Sequence, residues 1–128
     1  MSIKRLLCIS PSGAGAVEAH CGKLREWDLG IAPSIDDAAR ALHQQRFMVG
    51  LVLDHEARLD PDHLGSFLRN HWHTRWVGVF GPGLMQQARW RDLACDHLHD
   101  FHTCPVDPLL RNHTLGHAHG LAGLRERV

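Results

Sequence analysis

One carboxylate stands out by its surroundings. Asp54 follows Phe47-Met48-Val49-Gly50-Leu51-Val52-Leu53, and a run so continuously apolar suits a central strand covered on both faces. A carboxylate at such a strand tip either takes part in chemistry beyond the sheet or caps the loop that follows. Glu56, two residues on, joins it as a ligand only if that loop folds back. Histidine is the second chemical resource, with 12 in 128 residues. His97, His99, His102 and Cys104 lie close in sequence, and alternate residues of an extended segment share a face, so a Zn²⁺ or Ni²⁺ site is chemically conceivable. His71 and His73 form a second such pair. No spacing matches a structural zinc motif, and surface histidines usually bind nothing, so no metal is expected. The four cysteines, Cys8, Cys21, Cys95 and Cys104, include no CxxC pair and read as reduced thiols. Gly13-Ala14-Gly15 is compatible with a phosphate-binding turn, but it lacks the third glycine of a dinucleotide fingerprint and reads better as a tight strand-to-helix turn.

The elements that must position these groups follow from periodicity. Ile3 to Ile9 is a first strand, stopped by Ser10-Pro11-Ser12-Gly13. From Ala14 to Trp27, Val17, Cys21, Leu24 and Trp27 recur at helical spacing. Asp28 to Ala32 is a weak second strand, and Ser34 with Asp37 three residues later resembles a capping box for a helix running to about Gln45. The apolar run from Phe47 to Leu53 is the third strand. Pro61 opens a helix with Leu64, Phe67 and Leu68 inward, ending near Asn70. Arg75 to Phe80 is a fourth strand, Leu84 to about Cys95 a helix, and Asp100 to Thr103 a fifth strand. Asp107-Pro108 then caps a last helix carrying Leu109, Leu110, Leu115 and Leu121. Five strand-helix alternations predict a parallel sheet with helices on both faces. The working site is then expected beyond the strand ends, at Ser10-Pro11, Asp54-His55, Gly81-Pro82 and Cys104-Pro105.

Composition narrows the function. Apolar residues are 44% and charged residues 22% of the chain, as in a globular protein that folds alone. Fourteen basic and 14 acidic residues cancel, leaving no field to hold a nucleic-acid backbone or an anionic membrane. No apolar run approaches the roughly 20 residues of a membrane span, and no signal peptide is recognisable. A cytoplasmic protein is expected.

The pattern resembles a response-regulator receiver domain along nearly the whole chain. That resemblance implies an α/β, flavodoxin-like three-layer sandwich with a five-stranded parallel sheet in the order 2-1-3-4-5. Asp54 matches the family's phosphoacceptor, and Asp100 to Asp107 resembles the segment around its lysine-proline pair. Phosphoryl transfer to a carboxylate needs an acidic pair to hold Mg²⁺, a hydroxyl after the fourth strand and a lysine before the fifth-strand proline. Here Ser10 and Pro11 stand at the acidic pair, Gly81 and Pro82 at the hydroxyl, and Cys104 before Pro105 at the lysine. The developing charge has little to stabilise it. Asp54 is therefore expected to cap its loop, with Mg²⁺ relevant only if it were a working phosphoacceptor.

The C-terminal part is more specific. Asp100 to Asp107, followed by Leu115-Gly116-His117-Ala118-His119-Gly120-Leu121-Ala122, resembles the "THPVD or TLPVD, then LGHAYGMA" signature of certain sigma-54-dependent activators, which include regulators of biofilm polysaccharide genes. His119 stands for that family's tyrosine and Leu121 for its methionine. The resemblance implies a non-catalytic signal-input domain over 1–112. Residues 113–128 would be the end of the last helix and the start of a linker to an AAA+ domain outside this sequence, which has no GxxxxGK[ST] loop. It also implies a homodimer, with Leu115, Leu121 and Leu124 as dimer or linker residues, and contact with sigma-54 RNA polymerase through the further domains. Two alternatives stay open: a working phosphoreceiver on Asp54, and a small-ligand or metal sensor. Some relatives respond to cyclic di-GMP, and Arg58, Arg69, Arg75 and Arg89 offer guanidinium contacts.

Overall fold

The computed structural model describes residues 4–104 and 108–127, with side chains described to residue 104 and from 111 to 121. Five parallel strands, β1 (Lys4–Ile9), β2 (Trp27–Ala32), β3 (Val49–Asp54), β4 (Arg75–Phe80) and β5 (Asp100–Thr103), lie in the order β2-β1-β3-β4-β5. Five helices cover them: α1 (Ala14–Cys21), α2 (Ile35–Gln44), α3 (Pro61–Asn70), α4 (Ala88–His97) and α5 (Pro108–Arg127). The expected α/β fold and strand order are those observed.

Alternation along the strands separates two cores. Leu7, Ile9, Val52, Trp76 and Phe80 face α2, α3 and α4 through Ala38, Leu64, Phe67, Trp90 and Leu93. On the other face, Leu6, Cys8, Leu51, Leu53, Val77 and Val79 meet Val17 and Cys21 of α1 and Leu115 and Ala118 of α5. The first face is aromatic, and glycine makes room for it. Gly50 pairs with Trp76 across the sheet, and a Cβ on Gly50 would lie 2.2 Å from the indole. The ring occupies the volume that any other side chain would fill.

Local signals set several boundaries. Ser34 Oγ accepts the amide of Asp37 at 3.1 Å and donates to its carboxylate at 2.8 Å, the expected cap of α2. Asp60 accepts from His63 N at 3.0 Å with Pro61 behind it, opening α3. Other expectations need correction. α1 ends at Cys21 rather than Trp27, because Gly22 takes φ +73° and its amide closes on Glu18 O. Trp27, read as a helix residue, instead begins β2. β3 begins at Val49, and Phe47 is buried ahead of it, its carbonyl accepting from the Thr74 hydroxyl at 2.8 Å. The helix expected from Leu84 to Cys95 is a single 3₁₀ turn at Leu84–Gln86, then extended Gln87, then α4.

α5 crosses the expected boundary at residue 112 without a break. Leu115, expected at a linker or dimer contact, is 0% exposed against the sheet. Its surface is used inside the domain, so it offers none to a partner. Leu121 is half-buried. The side chains of Leu109, Leu110 and Leu124, the Asp107 cap and Pro105 lie outside the described residues.

Candidate functional site

The carboxyl ends of β1, β3 and β4 and the residue after β5 bring Ser10, Asp54, Gly81 and Cys104 to one edge of the sheet, as the sequence suggested. Asp54 ends the buried strand and is itself 2% exposed. Its Oδ1 accepts the amide of Arg58 and its Oδ2 that of Leu59, both at 2.9 Å. The carboxylate thus caps the backbone of the β3–α3 loop with both oxygens, and hydrogen bonds of this kind are among the stronger ones in proteins. The loop it holds contains Ala57 at φ 58°, a left-handed conformation that costs a non-glycine residue about 1 kcal/mol. The two bonds to Asp54 offset that strain.

The neighbours offer little to a metal or a phosphoryl group. Ser10 is fully buried, and its hydroxyl donates to Gly13 O at 2.9 Å, closing the β1–α1 turn in which Gly13 takes φ +86°. This local closure is the strand-to-helix role expected of the glycines. Pro11 contributes no side-chain oxygen. Gly81 lies so close to the β3–α3 loop that a Cβ would come 2.5 Å from His55 O. A serine or threonine there would collide with backbone, so the loop conformation requires glycine at this position. Cys104 stands where a lysine would neutralise the site; its amide is tied to Phe80 O at 2.9 Å. Burial, helped by the charge of Asp54, pushes its thiol above the ordinary range. Glu56 does not turn toward Asp54: Oε1 lies 3.1 Å from His55 Nε2, and Oε2 lies 2.6 Å from an Arg58 amino group. His20 of α1 packs on His55, with ring centres 4.2 Å apart.

Among the described residues at this edge, hard oxygen donors are few. One carboxylate with both oxygens occupied by amides, one hydroxyl bound to a carbonyl and a proline do not make an octahedral oxygen cage.

The other sequence candidates are dispersed. His102 Nε2 is 3.0 Å from the Thr114 hydroxyl, His99 packs on His117, and Cys104 packs against the core on the α1 and α5 face, so the structure does not gather His97, His99, His102 and Cys104 into one site. Among the described residues no three metal-ligating groups already share a site. His71 caps the end of α3, and His73 stacks on Trp72. Arg58 pairs with Glu56, and Arg89 with Asp62. Arg69 and Arg75 line a cleft of about 400 Å³ with Trp72 and Trp76, at the end of the sheet opposite Asp54. The sequence reading missed Arg111. It is buried, its guanidinium donating to Cys21 O and to Asn112 Oδ1, and it ties α5 to the end of α1. Burial also raises the thiols of Cys8 and Cys21, the latter to about 12, so neither is a ready nucleophile.

A family profile described as the VpsR domain matches residues 2–116. No curated protein sequence matches the chain. The crystal structure of NtrX from Brucella abortus in complex with ATP superposes with a TM-score of 0.78 at 15% identity, covering 98% of this chain and 29% of that one. A CheY-like receiver domain from Methanospirillum hungatei gives 0.76 at 12% identity, covering 97% and 99%. A receiver domain from Clostridium thermocellum gives 0.75 at 14% identity, covering 94% and 98%. These likenesses establish the receiver fold. The chain is as long as an isolated receiver and under a third of NtrX.

Proposed function

The chain belongs to the VpsR domain family, the receiver-like N-terminal domain of sigma-54 activators, and we propose that it passes its signal on through shape and self-association, without a phosphoryl group on Asp54. The observation that carries this reading is the double amide capping of Asp54, at 2.9 Å on each oxygen. A phosphoryl group on either oxygen would displace a backbone amide and release the strained turn at Ala57. Ser10, Pro11, Gly81 and Cys104 supply neither the metal ligands nor the positive charge that normally compensate. The role is regulatory, not catalytic, and requires no Mg²⁺.

The partners follow from the family. NtrX is a much longer chain, which supports an AAA+ segment elsewhere in the full-length protein and contact with sigma-54 RNA polymerase through it. Self-pairing as a homodimer falls to the far end of α5, at Leu121 and Leu124. Balanced charge leaves direct nucleic-acid contact to other domains. A cytoplasmic location goes with this reading; among the described residues no helix is long and apolar enough to cross a membrane.

The test is acyl-phosphate treatment with Mg²⁺, followed by intact-mass measurement. Unmodified protein is expected, with the same thermal midpoint with and without beryllofluoride. Stoichiometric phosphorylation that disappears in Asp54→Asn would establish a working phosphoreceiver instead. Sedimentation of Leu121→Glu checks the dimer; an association constant equal to that of the unaltered chain removes Leu121 from the interface.

A further inference from the structure

α5 carries His113 and His117 one turn apart, both exposed. Histidines at i and i+4 share one helical face, the arrangement by which a helix offers two imidazoles to one metal ion. Their rings are nearly parallel, 16° apart in plane, with centres separated by 6.5 Å. A third imidazole arrives from another element. His99 immediately precedes β5, its backbone amide bound to Trp76 O at 2.7 Å, and its ring centre lies 5.1 Å from that of His117.

The shorter of these separations suits a transition metal. With a metal-nitrogen bond of about 2.0–2.1 Å, two imidazoles on a tetrahedral ion have ring centres roughly 5 Å apart. His99 and His117 already stand at that spacing. His113 lies 6.5 Å from His117, ring centre to ring centre, and its exposed side chain is the one that would have to turn toward them. The Asp100 carboxylate, one oxygen of which accepts the amide of Phe101 at 2.8 Å, is the nearby anion. Against it stands Arg75, which favours a site of modest affinity.

We propose that His99, His113 and His117 form a binding site for a borderline divalent cation of the Zn²⁺, Ni²⁺ or Co²⁺ class, which the ion completes by drawing His113 inward. The site clamps α5 to the start of β5. It is independent of Asp54 and uses none of the groups at the opposite strand ends.

Titration of the intact chain with Co²⁺, read by visible absorption, and with Zn²⁺, read by calorimetry, tests this directly. One ion per chain is expected, with nitrogen-type cobalt bands, no thiolate charge transfer, and a raised thermal midpoint. Mg²⁺ should have no effect. Loss of an orienting partner alone weakens metal sites roughly 10–100-fold, so His113→Ala and His117→Ala should each cost at least about tenfold. His63→Ala, on exposed α3 surface, should leave binding unchanged. Both α5 substitutions are at exposed positions, and circular dichroism verifies that the variants fold. Unaltered affinity in both variants, a thiolate band signalling Cys95 or Cys104, or no saturable binding would overturn the site.

Discussion

At the carboxyl end of β3, Asp54 is 2% exposed, and each of its oxygens holds a backbone amide. At the amino ends of β4 and β5, Trp72 is 57% exposed beside clefts of about 400 and 420 Å³, lined by Arg69, Arg75, His71, His73, His97 and His99 among others. In a doubly wound sheet the first end is where chemistry is expected. Here it is closed. The Asp54 carboxylate and the Ser10 hydroxyl are both turned to backbone groups of the loops that follow their strands. The open end carries His71, His73, His97 and His99. The comparison teaches that the two ends of one sheet can differ in how far their polar groups are committed to the backbone around them.

The sharpest way to break this contrast is to remove the carboxylate. Asp54→Ala leaves the amides of Arg58 and Leu59 without their acceptor and is expected to cost about 2–4 kcal/mol in urea denaturation, since each bond to a charged acceptor contributes roughly 1.5–3 kcal/mol before the loop relaxes. Were Asp54 held ready for phosphoryl transfer, its removal would be nearly neutral or stabilising. Restoring the hydroxyl at Gly81 comes next. Gly81→Ser must push its Cβ against His55 O, and a cost of about 1–3 kcal/mol is expected by analogy with overpacked sites. Acyl phosphate should still leave that variant unmodified; a serine accommodated without loss of stability would show that the loop is not closed over the strand ends.

The open end should respond to acid. The pKa values of His71, His99 and His119 are all lowered from 6.5, by burial first, with His43, His117 and Lys4 respectively as the next cause. The unfolded chain therefore binds protons at these positions at higher pH than the folded one, so stability falls as pH drops from about 6.5 through the folded values. Above that window the three rings add no slope. Thermal midpoints measured from pH 7.5 to 5 should fall, less steeply in His99→Gln, and an unchanged slope there would place the pH response elsewhere. The smallest effect belongs to Trp72→Ala. An exposed side chain away from the core should change stability by no more than about 0.5 kcal/mol. A loss comparable to that of Asp54→Ala would mean that the open end is as structural as the closed one.

Much of this architecture is written in local patterns. The bounds of α3, β4 and β5 follow from Pro61, from the apolar run of Trp76 to Phe80 and from the turn residues between them, because helix caps and short apolar runs bounded by turns act over a few neighbours. The positions of Ser10, Asp54, Gly81 and Cys104 at one sheet edge were legible for the same reason: parallel strands with helical crossovers all end on one side. The end of α1 was harder to read, because the helical spacing of Leu24 and Trp27 continues past the glycine that stops it.

What the amino-acid order determined by itself is the alternation of elements and the balanced charge, both of which are properties of residue identity and near-neighbour spacing. Only the tertiary structure decided that Asp54 faces the amides of Arg58 and Leu59, that Gly81 touches His55, that Leu115 is core, and that His99 meets His117. Such contacts join segments through the packing of the whole sheet, and no local periodicity encodes the distance between side chains brought together that way.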